Sequence, residues 1–331
     1  MILAATMLVV AAYAAFWGVA ANRVVAELEA WAAAPHVRVD VVVGDIAVSG
    51  FPTKLEVRLG PVEVRLGQEL RYAVDAVVLS RPLGGDDLAF VMHGRQVLTV
   101  QGTPLSIETG RAAGEIVRTA DGRIAGFRIE TANLIVERPN ADPVTAQHLT
   151  LRAAWPDGAA LLPDGTTLEV RADSLTAPGL ATMPLGGAIE RLIADVTLDG
   201  AINAPTRTAL REWQRQGGKV SVRDGTLQWG SVDANRMKAT LGFDAALRPA
   251  GSIDATLRDP VRLADALSSA EWINTEQHLR LTNRIAAAPG NAGRTFRLSF
   301  LDGWVAFDDS EPDQMAPIPL WRLPSLPGMG R

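Results

Sequence analysis

Cysteine is absent from all 331 residues. That excludes a disulfide framework, thiolate zinc sites, iron–sulfur clusters and a cysteine nucleophile. Histidine is scarce: His36, His93, His148 and His278 stand far apart, so no two can hold a metal from adjacent turns of one helix. The chain has no P-loop, no G-x-G-x-x-G behind a strand, no G-x-S-x-G and no H-E-x-x-H. An excess of positive charge is also missing. The net charge is −5 and the pI about 5.5, whereas a nucleic-acid partner requires a basic face that displaces counterions.

Weaker candidates for chemistry have simpler readings. Asp308, Asp309, Glu311 and Asp313 lack the glycine and spacing of a calcium loop and read as a solvated acidic segment. Gly84-Gly85-Asp86-Asp87 reads as a turn between strands. His148 and His278 could each act as a general base, but neither has a placed nucleophile or carboxylate in the sequence. Trp155, Trp213, Trp229, Trp272, Trp304 and Trp321 read as packing residues before they read as an aromatic ligand site. The expectation is therefore no catalytic residue, no metal and no cofactor.

The chain does have a long apolar start. Met1 to Asn22 carries no charged side chain, and Ile2 to Ala21 is apolar or small apart from Thr6 and Gly18. About 20 residues at 1.5 Å each span about 30 Å, the thickness of a bilayer's hydrocarbon core. A retained signal anchor and a signal peptide cleaved near Val19-Ala20-Ala21 both fit this pattern. No basic cluster precedes Ile2 and Arg23 follows the run, so charge alone leaves the orientation open. Val24, Val25, Leu28 and Trp31 continue with helical spacing until Pro35.

From His36 the period changes from 3.6 to 2. Val37, Val39, Val41 and Val43 alternate with polar residues. So do Leu55, Val57 and Leu59, then Val62, Val64 and Leu66, and later Leu168–Ala172, Val220–Val222 and Phe296–Phe300. Strict alternation marks strands with one buried and one wet face. Asp-Gly pairs at 121–122, 157–158, 164–165, 199–200, 224–225 and 302–303 supply residues suited to tight hairpins. Helical patches fall at Pro205 to Gln216, at Pro260 to Ala270 behind the N-cap candidate Asp259, and through Trp272 to Ala288.

The fold expected is mainly β, with long antiparallel sheets, curved or sandwich-like, two or three short helices and one N-terminal transmembrane helix. A sandwich and a curled open sheet give the same alternation. The expected organisation is an anchor with helical extension at 1–34, a first β-rich lobe at 35–204, a second with packed helices at 205–313 and a Pro-rich tail at 314–331.

Three segments carry a resemblance. The first is Val48-Ser49-Gly50-Phe51-Pro52. The second is Trp213 to Gly230, with Gly217-Gly218 and Leu227-Gln228-Trp229-Gly230. The third is Leu301-Asp302-Gly303-Trp304-Val305, followed by Leu323-Pro324-Ser325-Leu326-Pro327. In this order they resemble the alphaproteobacterial domain-of-unknown-function family 2125. The chain departs from that pattern in Ser310–Pro317 and in its bare N-terminus. The resemblance implies an inner-membrane-anchored or exported envelope protein with its soluble domain in the periplasm. It implies no activity, and its candidate structural residues are Gly50, Phe51, Pro52, Trp213, Gly217, Gly218, Trp229, Gly230, Asp302 and Gly303.

The function expected first is non-catalytic: a β-sheet that binds or shields an apolar ligand such as a lipid. The alternatives are a structural or assembly subunit of an inner-membrane complex and an envelope hydrolase. The expected partners are the membrane, through the N-terminal helix, and a lipid or a membrane protein. Nucleic acid is not among them.

Overall fold

The computed structural model describes residues 17–18, 22–23, 25–26, 29–30, 39–51, 54–67, 70–82, 88–119, 124–156, 162–204, 206–245, 247–287, 294–301 and 304–307. The predicted transmembrane run lies almost wholly outside them. Among the described residues no helix is long and apolar enough to cross a membrane. The tail, the Gly84–Asp87 and Asp308–Asp313 segments, and the Asp-Gly pairs at 121–122, 157–158 and 302–303 also lie outside.

The strands in order are β1 (Val39–Ser49), β2 (Lys54–Leu66), β3 (Leu70–Pro82), β4 (Leu88–Val100), β5 (Thr103–Glu108), β6 (Arg111–Arg118), β7 (Ile124–Arg138) and β8 (Ala141–Ala154). After them come β9 (Thr167–Thr176), β10 (Ala188–Asp199), β11 (Lys219–Trp229), β12 (Val232–Phe243), β13 (Pro249–Leu257), β14 (Arg294–Leu301) and β15 (Trp304–Phe307). All fifteen belong to one antiparallel sheet, and apart from β5 and β6 each pairs with its neighbours in sequence. β5 and β6 fill a single position. Both run between β4 and β7, and their register on β7 continues unbroken from Glu108–Ile135 to Arg111–Ala132. The sandwich alternative therefore falls away: the described strands form one sheet.

Three α-helices lie in the connections between its strands among the described residues. α1 (Arg207–Arg215) lies in the β10–β11 connection, with Thr206 accepting from Ala209 N as its N-cap. β10 and β11 pair directly with each other. α2 (Pro260–Ser269) and α3 (Thr275–Ala287) lie in the β13–β14 connection. Asp259 caps α2 by accepting from Arg262 N, with Pro260 in the first turn where no N–H is missed. The strand ends thus define two ends of the sheet, the α1 end and the α2–α3 end.

The alternation changes phase near the middle of the strands. In β1 the apolar residues are Val41 and Val43, then Ile46 and Val48. In β2 they are Val57 and Leu59, then Val62 and Val64. The ladder pairs these four with four, Val41–Val64, Val43–Val62, Ile46–Leu59 and Val48–Val57, so they share a face. What looks in sequence like two short strands around Gly60-Pro61 is one strand with a break in its pairing.

The break recurs across the sheet. Pairing skips between Leu59–Val77 and Val62–Val74, between Ala132–His148 and Leu134–Ala146, and between Val222–Ala239 and Leu227–Ala234. The register slips by one residue between Val74–Gln96 and Ala76–His93. Gly94, Asn133 and Ser174 lie on one line of the ladder with φ of 78°, 51° and 52°, and Arg236 (φ 52°) lies on a second, in β11–β12. Non-glycine residues seldom adopt such angles, and bulges are where they gather. At Gly94 a Cβ would stand 2.4 Å from Asp75 Oδ2, and that carboxylate accepts from Arg95 N at 2.7 Å.

The second of these breaks corrects one expectation. Asp224-Gly225 was expected to form a turn, yet it sits inside β11. It falls where the β11–β12 ladder skips, so its irregular backbone serves the break, and the reversal comes at Gly230 (φ 54°). Gly165 (φ 77°) and Gly200 (φ 91°) do lie in a turn and at a strand end.

Candidate binding face

One face of the sheet is charged. Arg71 pairs with Glu63 at 2.6 Å, Arg297 with Asp254 at 2.7 Å and Arg191 with Asp173 at 3.3 Å. These pairs are exposed, and each contributes at most about 1 kcal/mol. An outward depression of about 300 Å³ is lined by Arg152, Glu169, Asp195 and Arg223. Its charges balance and it lies open to solvent.

The other face is apolar, and its cover is uneven. Near the α2–α3 end, Val232, Ala234, Leu257 and Phe296 of the sheet are buried with Ala264, Ile273, Leu281 and Ile285 of the helical region. His278 Nε2 lies 2.8 Å from Asp265 Oδ1 and ties α3 to α2. At the α1 end Trp213, 2% exposed, packs on Phe243 with ring centroids 6.0 Å apart. From β2 to β9 the inner face has no helix over it among the described residues. Val62, Leu98, Ile107, Ile129, Leu151 and Val170 are half-buried there, between the buried Val57, Leu59, Val74, Ala153 and Ala172. Burial of that degree is what neighbours on a concave sheet give one another. A second layer would bury them further.

A direct contact shows the concavity. Tyr72 stands opposite Leu98, and Met92 lies six residues further along the same strand. In a straight strand those six residues span about 20 Å, more than the two side chains can bridge. Yet Tyr72 Oη lies 3.0 Å from Met92 Sδ. β3 and β4 therefore bend towards the apolar face at the line of broken pairing, and the face becomes a trough.

The floor of the trough carries a few polar groups. Gln96, 4% exposed, accepts from Tyr72 Oη at 2.8 Å and donates through Nε2 to Thr109 Oγ1 at a stretched 3.5 Å. Thr131 Oγ1 is buried with no hydrogen-bond partner among the described residues. Burial pushes the Tyr72 phenol up to about 12. The folded state therefore holds the Tyr72 proton where the unfolded chain releases it. Stability from this group is complete below about pH 10 and is lost as pH rises towards 12. An ultraviolet phenolate titration is expected to show one of the two tyrosines ionising near pH 12, and Tyr72→Phe to remove that step.

The residues singled out in the sequence serve the strand ends. Gly50 (φ 100°) closes β1, with its carbonyl accepting from Lys54 N at 3.1 Å. Phe51 is 48% exposed and meets the Trp17 ring edge-on at 5.7 Å. Trp213 Nε1 donates to the carbonyls of Asp199 and Gly200 at 3.0 and 3.1 Å. A Cβ on Gly218 would sit 2.3 Å from the same indole ring, while Gly217 (φ 78°) terminates α1. Trp229 Nε1 donates to Gly186 O at 2.9 Å, and Gly230 N donates to Glu190 at 2.9 Å. Pro52, Asp302 and Gly303 lie outside the described residues.

The family model for an uncharacterized protein conserved in bacteria (DUF2125) matches residues 17–307. The chain belongs to this family. No curated protein and no solved structure matched.

In this DUF2125 chain the histidines do not converge. His93 is exposed on β4, His148 is exposed on β8 and His278 sits between two helices, while His36 lies outside the described residues. Among the described residues no group of three His, Asp or Glu side chains could hold a metal ion. The described tryptophans are likewise dispersed. Trp155 stacks edge-on with Phe127 at 5.9 Å, Trp213 is core, and Trp229 closes the β11 end. Tyr72, Gln96 and Thr131 did not stand out in the sequence. Their signal was available: Gln96 holds the phase of Leu98 and Val100, and Thr131 that of Phe127 and Ile129.

Proposed function

We propose that this protein is a non-catalytic, membrane-anchored envelope protein whose trough holds the acyl chain of a lipid, with the sheet on the periplasmic side of an inner membrane. The supporting observation is the apolar inner face of β2–β9, much of it only half-buried and without a covering layer among the described residues. An acyl chain suits it. Each methylene taken out of water contributes about 0.8 kcal/mol with no need of a directional partner. The polar end of the lipid needs only a few fixed groups, as ligand sites usually provide. The Thr131 hydroxyl, buried and without a hydrogen-bond partner among the described residues, donates to an ester or carboxyl oxygen of a lipid that settles against it. Thr131→Val is expected to leave stability unchanged or raise it by about 1 kcal/mol, since it removes an unmet polar group. The same variant is expected to weaken lipid binding several-fold.

The test is a titration of the detergent-free protein with a fluorescent fatty acid, paired with native mass spectrometry of the protein as purified. Saturable uptake that unlabelled fatty acid displaces supports the reading. A protein that carries no lipid and takes up none refutes it.

A second reading, an assembly subunit, is favoured by the edges. β1 and β15 each pair with one strand among the described residues, and an open edge can add a strand from another chain. A stoichiometric protein recovered with the chain from native membranes supports that reading, and a lone monomer opposes it.

A further inference from the structure

The structure also indicates which way the sheet points. Trp17 touches Phe51 in the turn after β1, at the α1 end of the sheet. Glu29 lies beside Val41–Ile46, further towards the α2–α3 end. Trp17 and Glu29 therefore lie along β1 in the order opposite to its direction, with Trp17 at the α1 end. The uncharged apolar run Ile2 to Phe16 immediately precedes Trp17 in the sequence.

Three observations at that end agree. Phe51, Ile124 and Leu301, exposed by 48%, 50% and 62%, lie at the α1 ends of their strands, while Val261 and Leu279 are the large apolar residues exposed on α2 and α3. The aromatic pairs Trp17–Phe51 and Phe127–Trp155 lie there too, as aromatic side chains do at a membrane–water interface. The apolar phase of the inner face reaches the same end, through Val48, Val57, Leu79 and Phe90. At the opposite end β4–β5, β7–β8 and β11–β12 are joined by short turns with the exposed polar residues Gln101, Asn140 and Ser231.

We infer that the α1 end of the sheet rests on the lipid surface, so that the trough opens onto the bilayer from which its ligand enters. Phe51, Ile124 and Leu301 dip into the headgroup region, and the α2–α3 end points away from the membrane. The entry of a ligand rests on the proposed function. The orientation of the sheet does not.

The absence of cysteine makes the test clean. Ile124→Cys and Leu301→Cys place a bimane label at the α1 end, and Asp142→Cys and Ser231→Cys place one at the other. The full chain is reconstituted into phosphatidylcholine vesicles with and without brominated acyl chains. Quenching of at least twofold at 124 and 301, with none at 142 and 231, is expected. Quenching at 142 or 231, or at neither end, overturns the inference. Labels at 124 and 301 that are shielded from both bromolipid and aqueous iodide would mean that a protein covers this end, which also overturns it. Fatty-acid uptake is read separately. Quenching without uptake leaves the orientation standing and removes the lipid ligand. Uptake without quenching does the reverse.

Discussion

Replacing Trp213 by alanine is expected to lower the stability of the folded protein by about 3–5 kcal/mol, the usual cost of emptying a buried aromatic site. The indole is 2% exposed, packs on Phe243 and donates to two carbonyls that close the β10 end. The loss is a large share of the 5–15 kcal/mol that typically holds a domain together. Urea unfolding followed by circular dichroism measures it. Gly218 sharpens the test. A Cβ there would lie 2.3 Å from the Trp213 ring, so Gly218→Ala must push the ring or the strand aside. Alone, Gly218→Ala is expected to cost about 1–3 kcal/mol. On top of Trp213→Ala the space is already open and most of that cost disappears. Strict additivity of the two substitutions would show that the two residues do not share this packing.

Leu151→Glu is expected to fold and to lose at least tenfold in lipid affinity. Leu151 lies on the trough floor, opposite Ile129 on one side and Val170 on the other. In a closed core an unpaired carboxylate at this position would unfold the protein, because burying a charge without a partner is prohibitive. In a trough open to water the carboxylate remains hydrated while the ligand is absent, and the conflict arises only when an acyl chain must lie against it. Arg152→Gln, one residue along and on the charged face, serves as the control with unchanged binding. Loss of the β-sheet signal in Leu151→Glu would show that the inner face is a sealed core. A folded variant with full affinity would place the ligand elsewhere.

Much of the fold is legible in the residues because period-2 alternation is a local property. The strands at 54–66, 168–172, 220–222 and 296–300, and the helix behind Asp259, lie where the pattern puts them. Two features are not local. Whether the apolar face meets a second sheet or curls upon itself depends on strand order, and alternation is identical in both cases. The bend line is written as a change of phase, from Leu59 to Val62 in β2, but a phase change also describes two strands separated by Gly60-Pro61. The ladder to β1 and β3 decides between them. The trough is hidden for a related reason. A face meant for a ligand and a face meant for a core show the same valines and leucines. Only the polar residues in the apolar phase, Gln96 and Thr131, differ from a core pattern, and they become informative once they are seen on one concave surface.

The meander has a consequence for how the molecule is made. Each described strand pairs only with strands close to it in sequence, from β1–β2 to β14–β15, so no early strand waits for a late one. Contacts of short sequence separation close quickly, because little chain entropy is lost in bringing them together. A process that delivers the N-terminus first, by synthesis or by export, can therefore zip the sheet hairpin by hairpin as it emerges. Each newly formed edge is covered by the next strand to arrive, which keeps the time that an unpaired edge is open to other chains short.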